Sequence, residues 1–463
     1  MQTAGTAENP LRIAIIGSGP AGFYAAGQLL ASSDPAVTVD VYDRLMTPWG
    51  LVRFGVAPDH PKIKSVTRVF ERTAQKPGFR FHGNVEVGKD VTHQQLADAY
   101  HAVIYAVGTP GDRRLGVPGE DLPGSESATE FVAWYNGHPD YADMDFDLSA
   151  KRAVVIGNGN VALDVARMLA LSPEELEATD IADHALELLR NSQVEEIVLL
   201  GRRGPVQAAF TNPELRELAD LTLADVVVDA AHLELDEASA AALASADAAT
   251  QRNIETLTGY AAAGPAGKPR RVVFSFLASP VELEGEERVQ TLVVERNRLV
   301  AGPDGRVTTE PTGELERIEA GLVFRAIGYV GVPLPGVPFD ERRRTALNQD
   351  GRVLDPDSNA PIPGLYVTGW VKRGPSGVIG TNKKCAQETT DHLLADFAAG
   401  LLPDPVSTPD ALLDSIRASG TKIVDYAGWE AIDAHERALG EPSGRPRVKL
   451  VRRDEQLRRA LPA

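Results

Sequence analysis

Cysteine is almost absent: Cys385 is the only one in 463 residues. That excludes an intrachain disulfide and any CxxC redox pair, and it fits a reducing compartment. Net basic charge is also missing. Lys and Arg number 47 against 65 Asp and Glu, for a formal charge of −18, the opposite of the footprint of a nucleic-acid binder. The first ten residues, MQTAGTAENP, carry neither the basic n-region nor the apolar h-region of a signal peptide. The most apolar early run, LRIAIIGSGPAGFYAAGQLL, is broken by four glycines and a proline, too punctuated for a membrane span. With 43% hydrophobic and 24% charged residues, the chain reads as a soluble, cytoplasmic globular protein. It is taken as a monomer, with no nucleic-acid partner, no stable membrane association and no metal ligands assigned. Its length exceeds one ordinary core and predicts two or three domains.

Two segments echo each other, RIAIIGSGPAGFYAAGQLL (12–30) and RAVVIGNGNVALDVARMLA (152–170). Each joins a β-branched run to a glycine turn and then to apolar residues at helical spacing. A second pair, AVIYAVGTPGD (102–112) and LVFRAIGYVG (322–331), matches in outline and reads as chain crossings between two nucleotide domains. The predicted fold is therefore α/β, with two Rossmann-like dinucleotide-binding domains (FAD and NADP), the second inserted in the first. The boundaries fall at 1–108 and 332–463 for the outer domain and 109–331 for the inserted one. Residues 171–192 are expected as a polar surface extension of the second helix, and 236–265 as an alanine-rich helical stretch ending at GPAGKP. Antiparallel strands are expected over 271–300, and the basic C-terminus GEPSGRPRVKLVRRDEQLRR as a solvated tail or helix.

Gly17, Gly19 and Gly22 form G-x-G-x-x-G between strand and helix. The spacing supplies a tight turn, room for a pyrophosphate beside the backbone, and close helix–strand packing. The helix N-terminus then offers free N–H groups to phosphate. The next strand, VTVDVYD, ends in Asp43, which suits ribose hydroxyls and hence FAD. The second copy reads Gly157, Gly159, Ala162, and the strand after it, EEIVLLG, ends in Arg202 and Arg203. A carboxylate there would repel a 2′-phosphate, whereas a guanidinium fork binds one. The second site should therefore prefer NADP(H) to NAD(H), and two such sites make hydride transfer the natural chemistry.

At PWGLVRFGVAPDHPKIKSV (48–66) and RGPSGVIGTNKK (373–384) the match becomes specific. With GNGNVALDVAR and GRRGPVQAAFTNPELREL, these stretches resemble the ferredoxin–NADP⁺ reductases of the adrenodoxin reductase family, in the family's order and over nearly the whole chain. The resemblance implies an FAD enzyme passing electrons between NADPH and a ferredoxin-type iron–sulfur carrier. It carries FAD contacts onto Pro20, Asp43, Leu51, Val87, Trp370, Gly377, Val378 and Ile379, beside Gly17, Gly19 and Gly22. NADP contacts fall on Arg113, Asn158, Gly159, Asn160, Val161, Arg202, Arg203, Glu214 and Gly377. The family's His–Glu pair at the nicotinamide maps to His60 and Glu217, the candidate catalytic residues, which shape the site and tune its charge. His60, between Asp59 and Pro61, is expected in an extended loop. A helix is expected to begin near Thr381, with Cys385 packed in it.

An acidic carrier approaching a chain of charge −18 needs a basic face to steer it. Lys268, Arg270, Arg271, Arg252 and the basic C-terminus are the candidates. A disulfide reductase is excluded by the lone cysteine, and a glutamate-synthase-type subunit lacks its N-terminal cysteine clusters. A different electron acceptor or partner enzyme, or a nucleotide-sensing module without turnover, remains as the alternative.

Overall fold

The computed structural model describes residues 4–302 and 307–461. Two parallel sheets organise the chain. The first runs Asn348–Gln349, Arg352–Leu354, Pro361–Val367, Ala102–Tyr105, Leu11–Ile16, Val37–Asp43, Phe79–Gly83. Its last five strands are parallel, and the first two join antiparallel at one edge. Ile13, Ala14, Ile15 and Ile16 are all buried, so both faces of this strand are covered, which is why it reads as an unbroken apolar run. Helix Pro20–Leu29 follows it and packs on Thr381–Ala398 and Thr67–Ala74.

The second sheet runs Ser125–Ser127, Leu322–Arg325, Arg152–Ile156, Glu196–Leu200, Arg270–Ser275, Ala224–Val228 and is parallel throughout. Its core gathers Phe131, Leu163, Met168, Leu199 and Phe324. The chain leaves the first sheet after Tyr105 and returns to it after Arg325, and there Gly111–Asp112 pairs antiparallel with Tyr329–Val330. The second unit is thus inserted in the first, as the matched apolar strands had implied.

Three sequence expectations need correction. Arg270–Ser275 is not antiparallel but lies between two parallel neighbours. Val272 and Phe274 are fully covered while Arg271 is exposed and Val273 half-buried, and this one-sided cover imitates the alternation of an antiparallel strand. The antiparallel strands are Ala278–Glu284, Thr291–Ala301 and Val307–Glu319. Residues 171–192 do not extend the preceding helix over the surface. Ser172 restarts the chain with a capping box to Glu175, and helices Pro173–Glu177 and Asp183–Arg190 bury Leu176, Leu186 and Leu189. The alanine-rich stretch does form helices, Glu237–Ala244 and Ala248–Ala263, divided where Asp247 caps the second.

The third correction concerns the basic C-terminus. Arg453–Ala460 is helical, but the segment before it is no solvated tail, because Arg445 and Lys449 are buried. Arg445 binds Asp183 at 2.6 Å and the Thr179 carbonyl at 3.2 Å. Lys449 lies 3.5 Å from Asp180 and 3.4 Å from Asn136 Oδ1. Arg447 reaches Asp433 at 2.5 Å and Glu436 at 3.2 Å, and Glu436 takes Arg53 in a two-pronged pair at 2.9 and 2.6 Å. The segment therefore ties the helix Tyr426–Gly440 and the first unit to residues 179–183 of the inserted one. Nothing in the local sequence announces these acids, which come from distant parts of the chain. Burial would raise the Asp180 carboxyl, but Lys449 and Lys64 pull it well below the usual carboxylate range. Among the described residues no helix is long and apolar enough to cross a membrane.

Removing one member of a buried ion pair strands the other. Glu436→Gln should therefore cost about 3 kcal/mol, against less than about 0.5 kcal/mol for Arg458→Ala, whose pair with Asp454 is exposed. Denaturant midpoints for the two variants would check this, and equal midpoints would dismiss the clasp.

Candidate functional site

The two glycine turns are built alike. Gly17 has φ +104°, and a Cβ there would lie 2.7 Å from the Ala106 carbonyl oxygen; Gly157 has φ +143°, with the Ala326 oxygen at 2.3 Å. Ala106 and Ala326 end the two crossing strands, so each first glycine is where the chain turns against the strand that leaves its sheet. Helices Pro20–Leu29 and Asn160–Ala170 start from Gly19 and Gly159, with Pro20 at the first helical position. Gly22 sits against Gly17, whose carbonyl oxygen would be 2.1 Å from an added Cβ.

A dinucleotide needs an open cradle lined by unsatisfied polar groups, and the first turn has both. In front of Gly19 the nearest atom to an added Cβ is the Gly50 Cα at 3.9 Å. Beside it, Trp49 Nε1 and Thr47 Oγ1 are buried without a hydrogen-bond partner, while the Trp49 amide is anchored to the Ser18 carbonyl at 2.9 Å. The residues present fit the group. Asp43 accepts from the Ser18 amide and hydroxyl at 2.9 and 2.5 Å and from the Leu45 amide at 2.9 Å. Its carboxylate is thus fixed at the strand end beside the glycine turn, with lone pairs left over.

The remaining predicted flavin residues come from three more segments. Leu51 opens the short helix Leu51–Phe54 next to Gly50 and is exposed. Trp370 opens Trp370–Arg373; its indole N–H donates to the Ser376 carbonyl at 3.1 Å and its ring lies 5.3 Å from Tyr329. Gly377 has φ +77°, the Val378 amide donates to Thr381 Oγ1 at 3.2 Å, and Ile379 packs on the core. The helix begins at Thr381 as expected, and buried Cys385 accepts the Gly369 amide through its sulfur at 3.3 Å. Val87 is half-buried and packs on the cluster holding Ile16, Tyr42 and Val91.

At the second turn the Asn158 carbonyl accepts the Ala209 amide at 2.7 Å, and its side-chain Oδ1 is buried and unpartnered. Gly159 caps the helix, Val161 lies in its first turn, and Asn160 Oδ1 accepts the Thr211 amide at 2.8 Å. Arg202 and Arg203 follow the neighbouring strand. Their carbonyls are held by Asn297 Nδ2 at 2.9 Å and the Leu277 amide at 3.2 Å. Neither guanidinium has a hydrogen bond or ion pair among the described residues. Burial and the adjacent Arg202 both push the Arg203 pKa down, the mark of two like charges held side by side with no counter-ion. Arg113, at the crossing, is exposed and held by its amide on the Gly328 carbonyl at 3.2 Å.

Between the two turns the structure brings His60 and Glu217 together at 2.6 Å through Nε2 and Oε2, with Glu214 Oε2 at 3.5 Å. His60 itself is non-helical, as expected, and caps the one-turn helix Pro61–Lys64. Glu214 and Glu217 lie three apart on Asn212–Glu217, which puts both on one face. Burial, reinforced by Asp164, pushes the Glu214 carboxyl up to about 7.

Sequence reasoning missed Arg167, which is 3% exposed and contacts Asp59, Asp164, Glu214 and Glu217. The signal was present in GNGNVALDVAR: an acid and a base three apart inside an otherwise apolar helix are buried together or not at all. Three of the residues proposed for docking lie together. Lys268, Arg270 and Arg271 stand where Arg270–Ser275 begins, at the end of the sheet away from Arg202 and Arg203. They are also engaged: Lys268 with the Leu221 carbonyl at 2.5 Å, Arg270 with those of Leu169 and Leu171 at 3.0 Å, and Arg271 with Glu196. Arg252 is exposed on Ala248–Ala263.

Comparison with known proteins agrees with this layout. Residues 11–200 match the model of the pyridine nucleotide-disulphide oxidoreductases, although a chain with Cys385 alone has no disulfide pair to offer. The chain is 52% identical over 462 residues to the NADPH-ferredoxin reductase FprA of Mycobacterium tuberculosis, covering 98% of this chain and 99% of that one. It is 42% identical over 454 residues to the mitochondrial NADPH:adrenodoxin oxidoreductase of Arabidopsis thaliana, covering 96% and 94%. The solved structure of M. tuberculosis FprA in complex with NADPH superposes with a TM-score of 0.92 at 51% identity, covering 98% of this chain and 100% of that one. The protein is thus a member of the ferredoxin–NADP reductases of the adrenodoxin reductase family.

Proposed function

We propose that the protein takes a hydride from NADPH onto bound FAD and passes single electrons to a ferredoxin-type iron–sulfur protein, a reaction reversible in principle. The observation that carries the reading is the contrast at the two strand ends. Asp43 is locked beside the first glycine turn, whereas Arg202 and Arg203 stand unpaired beside the second. We take residues 1–108 and 332–463 as the FAD unit, 109–331 as the NADP unit, and the cytoplasm as the working compartment.

In this reading Gly17, Gly19, Pro20 and Gly22 give the FAD pyrophosphate a helix N-terminus and an open backbone. Asp43 accepts from the ribose, and Leu51, Val87, Trp370 and Gly377–Ile379 line the flavin. Asn158, Gly159, Asn160 and Val161 do the same for NADPH, with Arg202 and Arg203 on its 2′-phosphate and Arg113, Glu214 and Gly377 as further contacts. FAD, when bound, accepts a hydride and releases its electrons one at a time. His60 and Glu217 shape the nicotinamide end of the cleft and hold charge there; hydride transfer itself needs no proton donor. The two fixed glycine turns orient the two dinucleotides towards that end, the kind of placement that supplies most of the acceleration in a direct transfer. The carrier, being acidic, must approach through local positive charge on a chain of −18, and the exposed Arg252, Arg271, Arg458 and Arg459 are the candidates.

Anaerobic mixing with NADPH should bleach the flavin within the stopped-flow time range, and an oxidised ferredoxin should restore the colour. Bleaching without reoxidation by any ferredoxin would assign the electrons to a different acceptor, and no bleaching would leave a nucleotide sensor. Replacing Arg202 and Arg203 together by Ala should raise KM for NADPH roughly 100-fold, as two charge-assisted bonds are lost, and change that for NADH little. A steady-state comparison of the two nucleotides decides it. Glu214 adds a pH signature. Its native pKa of about 7 lies above the ordinary 4.5, so the native state holds a proton the unfolded chain has released between those values. Stability therefore falls as pH rises through that window. Glu214→Gln should raise the unfolding midpoint relative to the parent more at pH ~8 than at pH ~5; an equal gain at both would discard the assignment.

A further inference from the structure

His60 belongs to the first unit and Glu217 to the second, so their 2.6 Å contact depends on how the loop carrying His60 is fixed against the inserted unit. That loop is held at both ends. Asp59, one residue before His60, receives Arg167 Nε at 2.5 Å and Nη2 at 3.1 Å. Lys64, at the end of the helical turn His60 caps, reaches Asp180 at 2.6 Å. Arg167 comes from Asn160–Ala170, the helix of the second glycine turn. One guanidinium thus links the loop of His60 to the helix that begins at Asn160.

The same guanidinium faces the acids around His60. Nη2 also donates to Asp164 Oδ1 at 2.7 Å. Nη1 lies 3.6 Å from Glu217 Oε2 and 3.7 Å from Glu214 Oε2, the one terminal nitrogen with no hydrogen-bond partner, and Glu214 Oε2 is likewise unpartnered. Asp59 and His60 face this cluster from the loop, Asp164 and Arg167 from one helix, and Glu214 and Glu217 from the other. Tyr135 and Tyr329 stand behind Asp164, and Lys64 is felt through Asp59. Four carboxylates crowd round one histidine, and Arg167 is the permanent cation among them. A crowd of that sign takes up a proton unless a fixed positive charge opposes it.

We propose that Arg167 is the positioning residue of the hydride-transfer site: its fork on Asp59 fixes His60 against Glu217 across the junction, and its free Nη1 decides which member of the cluster keeps a proton. The assignment rests on the reading of His60 and Glu217 as the nicotinamide end of the cleft. Arg167 touches neither nucleotide's reacting atoms in this scheme; it acts through His60 and the two glutamates. The planar fork matters as well as the charge, since a lysine can supply one without the other.

The test separates these two roles and does not depend on turnover alone. Protein labelled at the glutamate carboxyl carbons is titrated by NMR, the Glu214 signal being assigned by its loss in Glu214→Gln. In Arg167→Gln the cluster loses its cation, and the Glu214 titration should move up by about one pH unit. The rate of flavin bleaching by NADPH should fall at least ~10-fold at pH ~7, with KM for NADPH changed less than ~3-fold, because the 2′-phosphate site is untouched. Arg167→Lys should bring the titration back near the parent value and leave the rate reduced. Asp59→Asn, which spares the cation and loosens the fork, should behave like Arg167→Lys and stands in if Arg167→Gln does not fold. A parent-like Glu214 titration and bleaching rate in Arg167→Gln, or a parent-like rate in Arg167→Lys and Asp59→Asn together, would overturn the proposal. If the parent itself is not bleached by NADPH, the functional reading fails instead, while the titration shift still reports on the Arg167 cluster.

Discussion

Charge buried at the junction of the two sheets constrains this molecule more than any other contact. Arg53, Glu436 and Arg447 form one run of ion pairs within the first unit, and Lys449, Asp180 and Lys64 form a second that crosses to the inserted one, the two meeting where Lys449 reaches the Arg53 carbonyl; Arg167 with Asp59 forms another crossing. Buried ion pairs contribute little net stability compared with apolar packing, because desolvation offsets most of their attraction. What they provide is intolerance of misalignment, since a displaced partner leaves a bare charge in a dry place. Two nucleotide units that met only through apolar side chains could slide; these cannot without breaking several pairs together.

That intolerance is what a hydride donor and acceptor require. In the proposed function the two cofactors would be held at their phosphates by separate glycine turns, each on its own sheet, with their reacting ends beyond those grips. A small rotation at the junction would become a displacement of ångströms at the reacting atoms. The clasp between residues 445–449 and 179–183 and the fork of Arg167 on Asp59 act on either side of the loop of His60, so the junction is braced next to the chemistry.

Electrostatics at the two strand ends follows one rule with opposite signs. Asp43 is surrounded by donors, two amides and a hydroxyl, which hold it aimed. Arg202 and Arg203 are left without acids among the described residues, although the chain has 65 of them, so an anion there would relieve their mutual repulsion. The acids at the junction are instead gathered round Arg167 and His60, a different use of the same excess of negative charge.

Much of this was legible in the sequence because it is local. A β-branched run followed by glycines at fixed spacing can only be a strand turning into a helix, and Asp43 or Arg202–Arg203 reads off its strand directly. The paired crossing strands gave away the insertion, since each ends where its first glycine must meet it. What stayed hidden is non-local. Arg445, Arg447 and Lys449 looked like a solvated basic tail because their acids lie elsewhere in the chain; Arg270 and Arg271 looked free because Glu196 and the carbonyls of Leu169 and Leu171 are remote in sequence. Arg167 hid in an apolar helix for the same reason. By itself the sequence determined the two dinucleotide-binding folds and the proposed cofactor preference of each, through backbone turns and the sign of a side chain. Only the tertiary structure decided how those units are held face to face, because a charge declares its role only when its partner arrives from another part of the chain.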